Sequence, residues 1–327
     1  MAFSYRMADL QAQELWTEKY RPKSFDDVAG QKEILTRIKA FVKAGNLPHI
    51  LFAGPAGVGK TTTALIIARE LFGETWKDNF LELNASDDRG IDTIRIKVKD
   101  FARTKAMGTT LPRIIYLDEC DSLTREAQQA LRRTMETFSG NARFILSCNY
   151  SSKVIDPIQS RCAVFRFKPV DVQDLERVIE HVSKHEELHV SSDGKKALLA
   201  VSEGDVRRLV NVMQSCASLS KKLDEKVVYD VVAAARPKEI KEVLLFAHDG
   251  KFVEAKKKLL DVMLHHGLSG LDVIKQIQQE VWNLSIPDTL KVKMVGLCGD
   301  IEFRMVEGSD EFVQLEALLA GFVGLKS

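Results

Sequence analysis

Cysteine is scarce in this sequence, and the cysteines are not spaced as pairs. The 327 residues include 5 cysteines, an odd number, and no two of them form a C-x-x-C motif. This pattern argues against a disulfide framework and against a zinc site built from cysteines. It is typical of a protein that works in a reducing compartment.

Long apolar runs and an excess of one charge are also missing. No run of about 18 uncharged apolar residues occurs, and residues 1–13 hold no apolar segment of the signal-peptide kind. We therefore expect a cytoplasmic protein with no membrane partner. The formal net charge is only +1, from 47 Lys and Arg against 46 Asp and Glu. Any nucleic-acid surface must then be local.

The sequence contains enough apolar residues for packed cores. Its hydrophobic content is 45%, and a chain of this length predicts about two or three domains. Short apolar runs alternate with longer helix-like stretches at residues 50–52, 80–83, 114–117, 144–147 and 164–167. This alternation predicts an α/β fold with a five-stranded parallel sheet that helices cover on both faces. After Pro169 the pattern predicts helices only, with a break at Pro237.

A phosphate-binding motif follows the first predicted strand. Residues 54–61 read Gly54-Pro55-Ala56-Gly57-Val58-Gly59-Lys60-Thr61 and match G-x-x-x-x-G-K-[ST], with a helix-forming run at residues 62–71. Glycines let backbone N–H groups point at phosphates, and a helix N-terminus adds partial positive charge. The motif predicts that Lys60 reaches the β/γ oxygens of ATP and that Thr61 binds Mg²⁺.

Acidic and polar side chains end two later strands. Asp118 and Glu119 directly follow the third apolar run, and Asn149 follows the fourth. We expect Asp118 to hold Mg²⁺ and Glu119 to deprotonate an attacking water, a pair suited to hydrolysis. Asn149 could hold the same water or a γ-oxygen, although an asparagine there is also a common turn residue.

Arginines and lysines give a weaker signal when taken singly. Arg161 precedes the fifth strand and Arg207 begins a helix, but each could be an ordinary surface residue. Residues 95–113 carry six basic side chains and one acidic one, Asp100. Within this segment Arg95 and Lys99 share a helical face, which is a pattern suited to contacting successive DNA phosphates.

Several motifs together resemble the small subunits of replication factor C, clamp-loader ATPases of the AAA+ class. Besides the phosphate loop and the acidic strand end, they read WTEKYRP at residues 16–22, LNASDDRG at 83–90, ALRRTME at 130–136, SCNY at 147–150, SRC at 160–162 and GDVR at 204–207. The resemblance covers nearly the whole chain and is closest to archaeal members. One departure is Cys120, where the family usually has alanine in its Asp-Glu-Ala-Asp box.

The resemblance implies an architecture in three parts. A P-loop AAA+ domain with the five-stranded parallel sheet would span residues 1–166, a small helical lid domain residues 167–236, and an all-helical collar domain that mediates oligomerisation residues 237–327. It also implies a place near the chromosome, if the source is archaeal.

The resemblance further implies roles for site residues. Asn149 would be the sensor-1 residue, Arg207 a sensor-2 arginine acting on its own subunit's γ-phosphate, and Arg161 an arginine finger that enters the neighbour's site. Arg21, Pro22 and Val28 would flank the adenine. The full set expected to bind ATP comprises Arg21, Pro22, Val28, Gly54, Pro55, Ala56, Gly57, Val58, Gly59, Lys60, Thr61 and Thr62.

The implied partners are a replication factor C large subunit, other copies of this chain, a ring-shaped sliding clamp and primer-template DNA. ATP binding would open the clamp, and hydrolysis would release it closed around DNA. The DNA-tracking residues would be Arg89, Arg95, Lys99 and Lys153.

Two other functions stay open on the sequence. One is a Holliday-junction motor or replication initiator of similar architecture, which the Ser160-Arg161-Cys162 box and the absence of strands near the C-terminus oppose. The other is a scaffold that binds ATP without cleaving it, which the intact Glu119 opposes.

Overall fold

The structure is a computed structural model that describes residues 14–87, 92, 94–232 and 235–325. These residues form two compact units. The first runs to Leu188 and takes in Leu198–Gln214, and the second holds His189–Ala197 and the chain from Ser215 onward. The predicted three-part division at residues 166 and 236 stays a prediction.

A five-stranded parallel sheet forms the centre of the first unit, as predicted. Its strands stand in the order β2-β3-β4-β1-β5, and every pair is parallel. They are β1 (Ile50–Ala53), β2 (Phe80–Asn84), β3 (Arg113–Asp118), β4 (Ala142–Cys148) and β5 (Ala163–Arg166). β1 and β4 are buried along nearly their whole length, which explains why they are continuous apolar runs rather than alternating ones.

Helices lie along the first unit's chain between and after these strands. They are α1 (Trp16–Lys19), α2 (Lys32–Lys43), α3 (Lys60–Phe72), α4 (Lys99–Arg103), α5 (Arg125–Thr137), α6 (Asp156–Gln159) and α7 (Val172–Glu186). Single 3₁₀ turns occur at Phe25–Asp27, Gly73–Lys77, Cys120–Ser122 and Ser151–Lys153, and Ile94–Val98 is a π-helical turn.

Two apolar layers cover the sheet, one on each face. On β3, Ile114 and Tyr116 pack in one layer with residues of α2 and α3. Ile115 and Leu117 pack in the other layer with residues of α5. This alternation follows from the two-residue period of a strand. Because the strands are parallel, their carboxyl ends all reach one edge of the sheet, where the polar residues that follow β1, β3 and β4 come together.

The chain after Pro169 is mainly helical, but the prediction that strands stop there was wrong. Two short strands, β6 (His189–Val190) and β7 (Lys222–Leu223), pair in parallel in the second unit. Each has only two residues, too few to produce a two-residue period in the sequence. The next helices are α8 (Ser192–Ser202), α9 (Val206–Leu219) and α10 (Glu225–Val232). The residues of α8 and α9 are divided between the two units, and α10 belongs to the second.

The rest of the second unit is a helical bundle. Its helices are α11 (Pro237–His248), α12 (Phe252–His266), α13 (Gly270–Val281), α14 (Asp288–Val306) and α15 (Glu311–Gly324). Apolar side chains from all of them form one core. The sequence pattern did not indicate α14, the longest of these helices, since Gly296 and Gly299 interrupt its apolar residues.

Among the described residues, no helix has the length and apolar character needed to cross a membrane.

Candidate nucleotide-binding site

The phosphate loop joins β1 to α3 as the motif predicts. Gly54 must be glycine because a Cβ there would lie 2.4 Å from the Phe167 carbonyl oxygen. Gly57 has a φ of +68°, in the left-handed region that glycine adopts without strain. Glycine is therefore required at residue 54 by the close approach of Phe167 and favoured at residue 57 by the backbone conformation.

Lys60 is buried at the start of α3. Its Nζ donates to the carbonyl oxygens of Gly54 and Pro55, each at 2.7 Å, and to Asn149 Oδ1 at 3.2 Å. Burial lowers the pKa of Lys60. The ammonium has three donors, and three oxygens accept them here, so a bound phosphate would take over some of these bonds.

Two oxygen ligands suited to a divalent cation meet beside the loop. Thr61 Oγ1 lies 2.9 Å from Asp118 Oδ2. Thr61 lies in the first turn of α3 and Asp118 ends β3, so neighbouring elements bring them together. A hydroxyl and a carboxylate are hard oxygen donors of the kind Mg²⁺ prefers next to nucleotide phosphates. The donor set therefore fits the metal that the sequence predicts at these residues.

Glu119 occupies an unusual backbone conformation. Its φ is +51°, a left-handed value that costs a residue with a side chain about 1 kcal/mol or more. Its N–H donates to Asp118 Oδ1 at 3.0 Å. This turn directs the chain away from the strand immediately after Asp118 and leaves both acidic residues lining the same cleft.

A cleft of about 640 Å³ surrounds these groups. Glu119 and Asn149 line it beside Lys60 and Asp118. Most of the residues expected to bind ATP also line it, namely Arg21, Pro22, Val28, Ala56, Gly57, Val58, Gly59, Thr61 and Thr62. Gly54 and Pro55 contribute instead the carbonyl oxygens that hold Lys60.

Helix α7 supplies one wall of the cleft, which sequence reasoning missed. Asp174, Arg177 and His181 line this wall, and Arg177 Nη1 donates to Asp174 Oδ1 at 2.6 Å. The Tyr20 ring packs edge-on against the His181 ring, with centroids 5.8 Å apart. The four-residue spacing of His181 and His185 was the available signal, since it places both rings on one face of the helix.

Arg207 reaches the cleft from the N-terminal turn of α9. The helix is capped by Asp205, whose Oδ1 accepts from the Arg208 N–H at 2.8 Å. The Val206 N–H donates to the Gly57 carbonyl oxygen at 3.1 Å. The Asp205 carboxylate fills the space beside Gly57, where a Cβ would lie 1.6 Å from Oδ1. The start of α9 and the phosphate loop are thus in direct contact. The expected role of Arg207 placed this helix near the γ-phosphate, but the contacts through Asp205 and Val206 were not predicted.

Arg161 is placed differently from Arg207. It is not among the residues that line the cleft. Its Nη2 lies 2.5 Å from Glu136 Oε1, and its Nη1 donates to the Pro157 carbonyl oxygen at 2.7 Å. Arg132 Nη1 binds the same Glu136 oxygen at 3.0 Å. The arginine is exposed and held by a carboxylate on α5, with no contact to its own chain's phosphate loop among the bonds described.

The basic residues proposed for DNA are only partly within the described chain. Arg89 and the side chain of Arg95 lie outside it. Lys99 and Lys153 are exposed, and the Lys153 Nζ lies 5.0 Å from the centroid of the Tyr150 ring. The chain passes from a π-helical turn to α4 at Lys99, so the α-helical spacing assumed for Arg95 and Lys99 does not apply throughout. Another residue of the basic segment, Arg113, packs over the Phe101 ring instead.

Cys120 follows the two acidic residues and is buried. Contact with Cys148 and burial raise the pKa of Cys120 well above its usual value. It is therefore a neutral thiol packed behind the site. A buried thiol packs as a small hydrophobic side chain, so it fits the position where the family usually has alanine.

Comparison with protein families gives two matches along the chain. Residues 50–170 match the ATPase family associated with various cellular activities. Residues 235–321 match the replication factor C C-terminal domain. The first match contains the phosphate loop after β1, Asp118 and Glu119 at the end of β3, and Asn149 after β4. The second covers most of the helical bundle.

Curated relatives are similar over most of the chain. A replication factor C small subunit from Methanococcus vannielii is 53% identical over 308 residues, which cover 94% of this chain and 98% of the relative. The one from Archaeoglobus fulgidus is 48% identical over 307 residues, covering 94% and 96%. The chain belongs to the replication factor C small-subunit family. The similarity to archaeal members that the motifs indicated is thereby confirmed.

Solved structures show the same fold at much lower identity. RuvB of Thermotoga maritima, a Holliday junction branch migration motor, superimposes with a TM-score of 0.54 at 19% identity. The match covers 69% of this chain and 79% of that chain. At this identity the likeness concerns the fold alone, so it does not favour the alternative of a junction motor.

Proposed function

We propose that this chain is an ATP-hydrolysing clamp-loader subunit that works only within an assembly. The observation that carries the proposal is the position of its two arginines. Arg207 lines the same cleft as Lys60 and Asp118, whereas Arg161 is exposed outside that cleft and held by Glu136. This cleft supplies the proposed groups for hydrolysis except one arginine. Such a cleft fits an assembly in which a neighbouring subunit supplies that arginine.

Within one subunit the roles divide by chemistry. The loop N–H groups and Lys60 bind the phosphates. Thr61 and Asp118 would hold Mg²⁺, which would neutralise phosphate charge. Glu119 takes the proton of the attacking water, and Asn149 orients that water or a γ-oxygen. Arg207 contacts the γ-phosphate of its own subunit. Arg21, Pro22 and Val28 hold the adenine.

Arg161 acts in trans in this proposal. An arginine finger contributes about 10³ to 10⁵ in rate, so an isolated subunit turns over slowly. Assembly with a large subunit and other copies of this chain brings each finger to the neighbouring site. Residues 167–236 act as a lid, and the bundle from residue 237 as a collar that holds the subunits together.

In this proposal, the subunit uses ATP to change how two other molecules are linked. ATP binding by the assembly opens a ring-shaped sliding clamp, primer-template DNA enters, and hydrolysis releases the closed clamp. Arg89, Arg95, Lys99 and Lys153 contact DNA phosphates without reading bases. The chain works in the cytoplasm, at the nucleoid.

One series of ATPase measurements tests the proposal. Rates are compared for the chain alone, with a large subunit, and with sliding clamp plus primed template. We expect a stepwise rise, reaching at least about 10³-fold over the chain alone. A constant low rate would favour the ATP-binding scaffold. Stimulation by a four-way junction but not by clamp and primer would favour the junction motor.

A further inference from the structure

Tyr116 is a fully buried tyrosine between two aliphatic residues of β3, Ile115 and Leu117, next to the site. It lies on β3 two residues before Asp118, and the two-residue period directs both side chains to the same face of the sheet. That face packs against α3, where Tyr116 belongs to the same apolar layer as Ala64 and Leu65. Its ring also stacks with Phe80.

The Tyr116 hydroxyl is aimed at the cation site rather than at a backbone group. It lies 3.0 Å from Thr61 Oγ1, and Thr61 Oγ1 lies 2.9 Å from Asp118 Oδ2. The three side chains therefore form a continuous chain of hydrogen bonds. A phenylalanine could fill the same apolar space, so packing alone does not account for this hydroxyl.

The protons in this chain of bonds can be assigned by counting. A carboxylate only accepts, so the single proton of the Thr61 hydroxyl must go to Asp118. With that proton used, the bond between Tyr116 and Thr61 must have the tyrosine as donor. A threonine hydroxyl has two acceptor lone pairs. Tyr116 takes one of them and leaves the other available.

We propose that Tyr116 is a positioning residue for the magnesium ligand Thr61. By donating to one lone pair while Asp118 accepts the proton, Tyr116 fixes the rotation of the hydroxyl, so that its remaining lone pair faces the cation. The inference rests on the proposed function, because it assumes that Thr61 and Asp118 hold Mg²⁺. Hydrogen-bond partners behind a metal ligand commonly tune its affinity in this way.

The test is the substitution Tyr116→Phe, which removes one oxygen and keeps the ring. A fluorescent ATP analogue is titrated against the purified chain in EDTA and then at a series of Mg²⁺ concentrations. We expect the affinity in EDTA to be unchanged and the Mg²⁺ concentration for half-maximal tightening to rise about tenfold, the lower end of the effect expected for losing such a partner. Tyr229→Phe is the matched control, because Tyr229 is also buried but lies in the second unit.

A merely structural role for Tyr116 gives a different pattern. Loss of packing would weaken analogue binding equally with and without Mg²⁺, and that result would overturn the proposal, as would an unchanged Mg²⁺ dependence. In a Thr61→Val background, Tyr116→Phe should no longer alter the Mg²⁺ dependence; a further shift there would also contradict it.

The same titration separates this inference from the proposed function. If the wild-type chain binds the analogue equally tightly with and without Mg²⁺, the proposed metal site is excluded. The role of Tyr116 is then excluded with it. If Mg²⁺ tightens analogue binding in the wild-type chain and does so identically in Tyr116→Phe, only the role of Tyr116 is overturned.

Discussion

Two arginines that look alike in the sequence occupy contrasting regions of this molecule. Arg207 stands at the start of α9, where Asp205 caps the helix and the backbone bonds the phosphate loop. Arg161 stands just after α6, outside the residues that line the cleft, and is held by Glu136. Both side chains are exposed, yet only Arg207 lines the cleft of its own chain.

Under the proposed function, this difference separates binding from hydrolysis in one fold. The groups proposed to bind phosphate and metal are linked through short contacts within the first unit. The arginine proposed to accelerate cleavage in a neighbouring subunit is held apart by an ion pair between exposed side chains, which is weak enough to be exchanged. Binding would then belong to the subunit, and fast hydrolysis to the assembly.

The largest expected effect comes from removing the arginine outside the cleft. Arg161→Ala should lower the ATPase rate of the assembly by about 10³ to 10⁵ and leave the affinity of the isolated chain for ATP unchanged. Steady-state ATPase assays and nucleotide titrations measure the two quantities. Glu136→Gln keeps the guanidinium and removes only its partner, so it should cost at most about tenfold. Equal losses for both variants would contradict the separate role of Arg161.

Removing the base inside the cleft should have the next largest effect. Glu119→Gln is expected to reduce turnover by about 10² to 10⁴ through loss of general-base catalysis, while ATP binding persists. Single-turnover hydrolysis with assembled subunits measures the loss. The exposed Glu126 on α5 gives a charge-matched control, Glu126→Gln, that should leave the rate unchanged. Retained turnover in Glu119→Gln would exclude Glu119 as the base.

The contact between the phosphate loop and α9 predicts a smaller effect with a defined rescue. In Gly57→Ala the new Cβ would overlap the Asp205 carboxylate, so nucleotide affinity should fall about tenfold to a hundredfold from overlap and left-handed strain. Asp205→Gly alone should change affinity little, because glycine is a tolerated N-cap.

Combining the two changes tests the overlap directly. The double variant Gly57→Ala with Asp205→Gly removes the overlapping carboxylate, so it should bind ATP more tightly than Gly57→Ala alone. A double variant as weak as the single one would show that strain at residue 57, rather than contact with Asp205, limits binding.

The smallest effect is expected for the basic residues proposed to contact DNA, which lie neither in the cleft nor beside Arg161. Lys99→Ala and Lys153→Ala should each weaken binding of the assembly to primed DNA several-fold and reduce the salt dependence by about one unit in slope. Fluorescence anisotropy at several salt concentrations measures both. ATP affinity of the isolated chain should stay unchanged. A loss confined to one DNA sequence would contradict contact through phosphates alone.

Much of this site could be predicted because its signals are local. The phosphate loop spans eight consecutive residues, and Asp118 and Glu119 follow an apolar run directly. Parallel strands end at one edge, so the convergence of Lys60, Asp118 and Asn149 follows from the sheet alone. The five strands were predicted for the same reason, since buried parallel strands are short apolar runs.

Other contacts depend on distances that the sequence does not contain. Asp205 meets Gly57 across about 150 residues of chain, a separation that no periodicity reveals. Tyr116 reads as one more buried aromatic until its hydroxyl is seen next to Thr61. The roles of Arg161 and Arg207 came from family resemblance, because an arginine alone is equally compatible with a surface ion pair.

The most direct test of the separation between binding and hydrolysis is a mixing experiment with two inactive variants. Arg161→Ala subunits keep their own cleft, and Glu119→Gln subunits keep their arginine. If Arg161 acts on a neighbour, random co-assembly should restore about a quarter of the wild-type ATPase rate, because that fraction of sites pairs an intact cleft with an intact finger. A mixture no more active than the sum of the two variants measured alone would contradict the account.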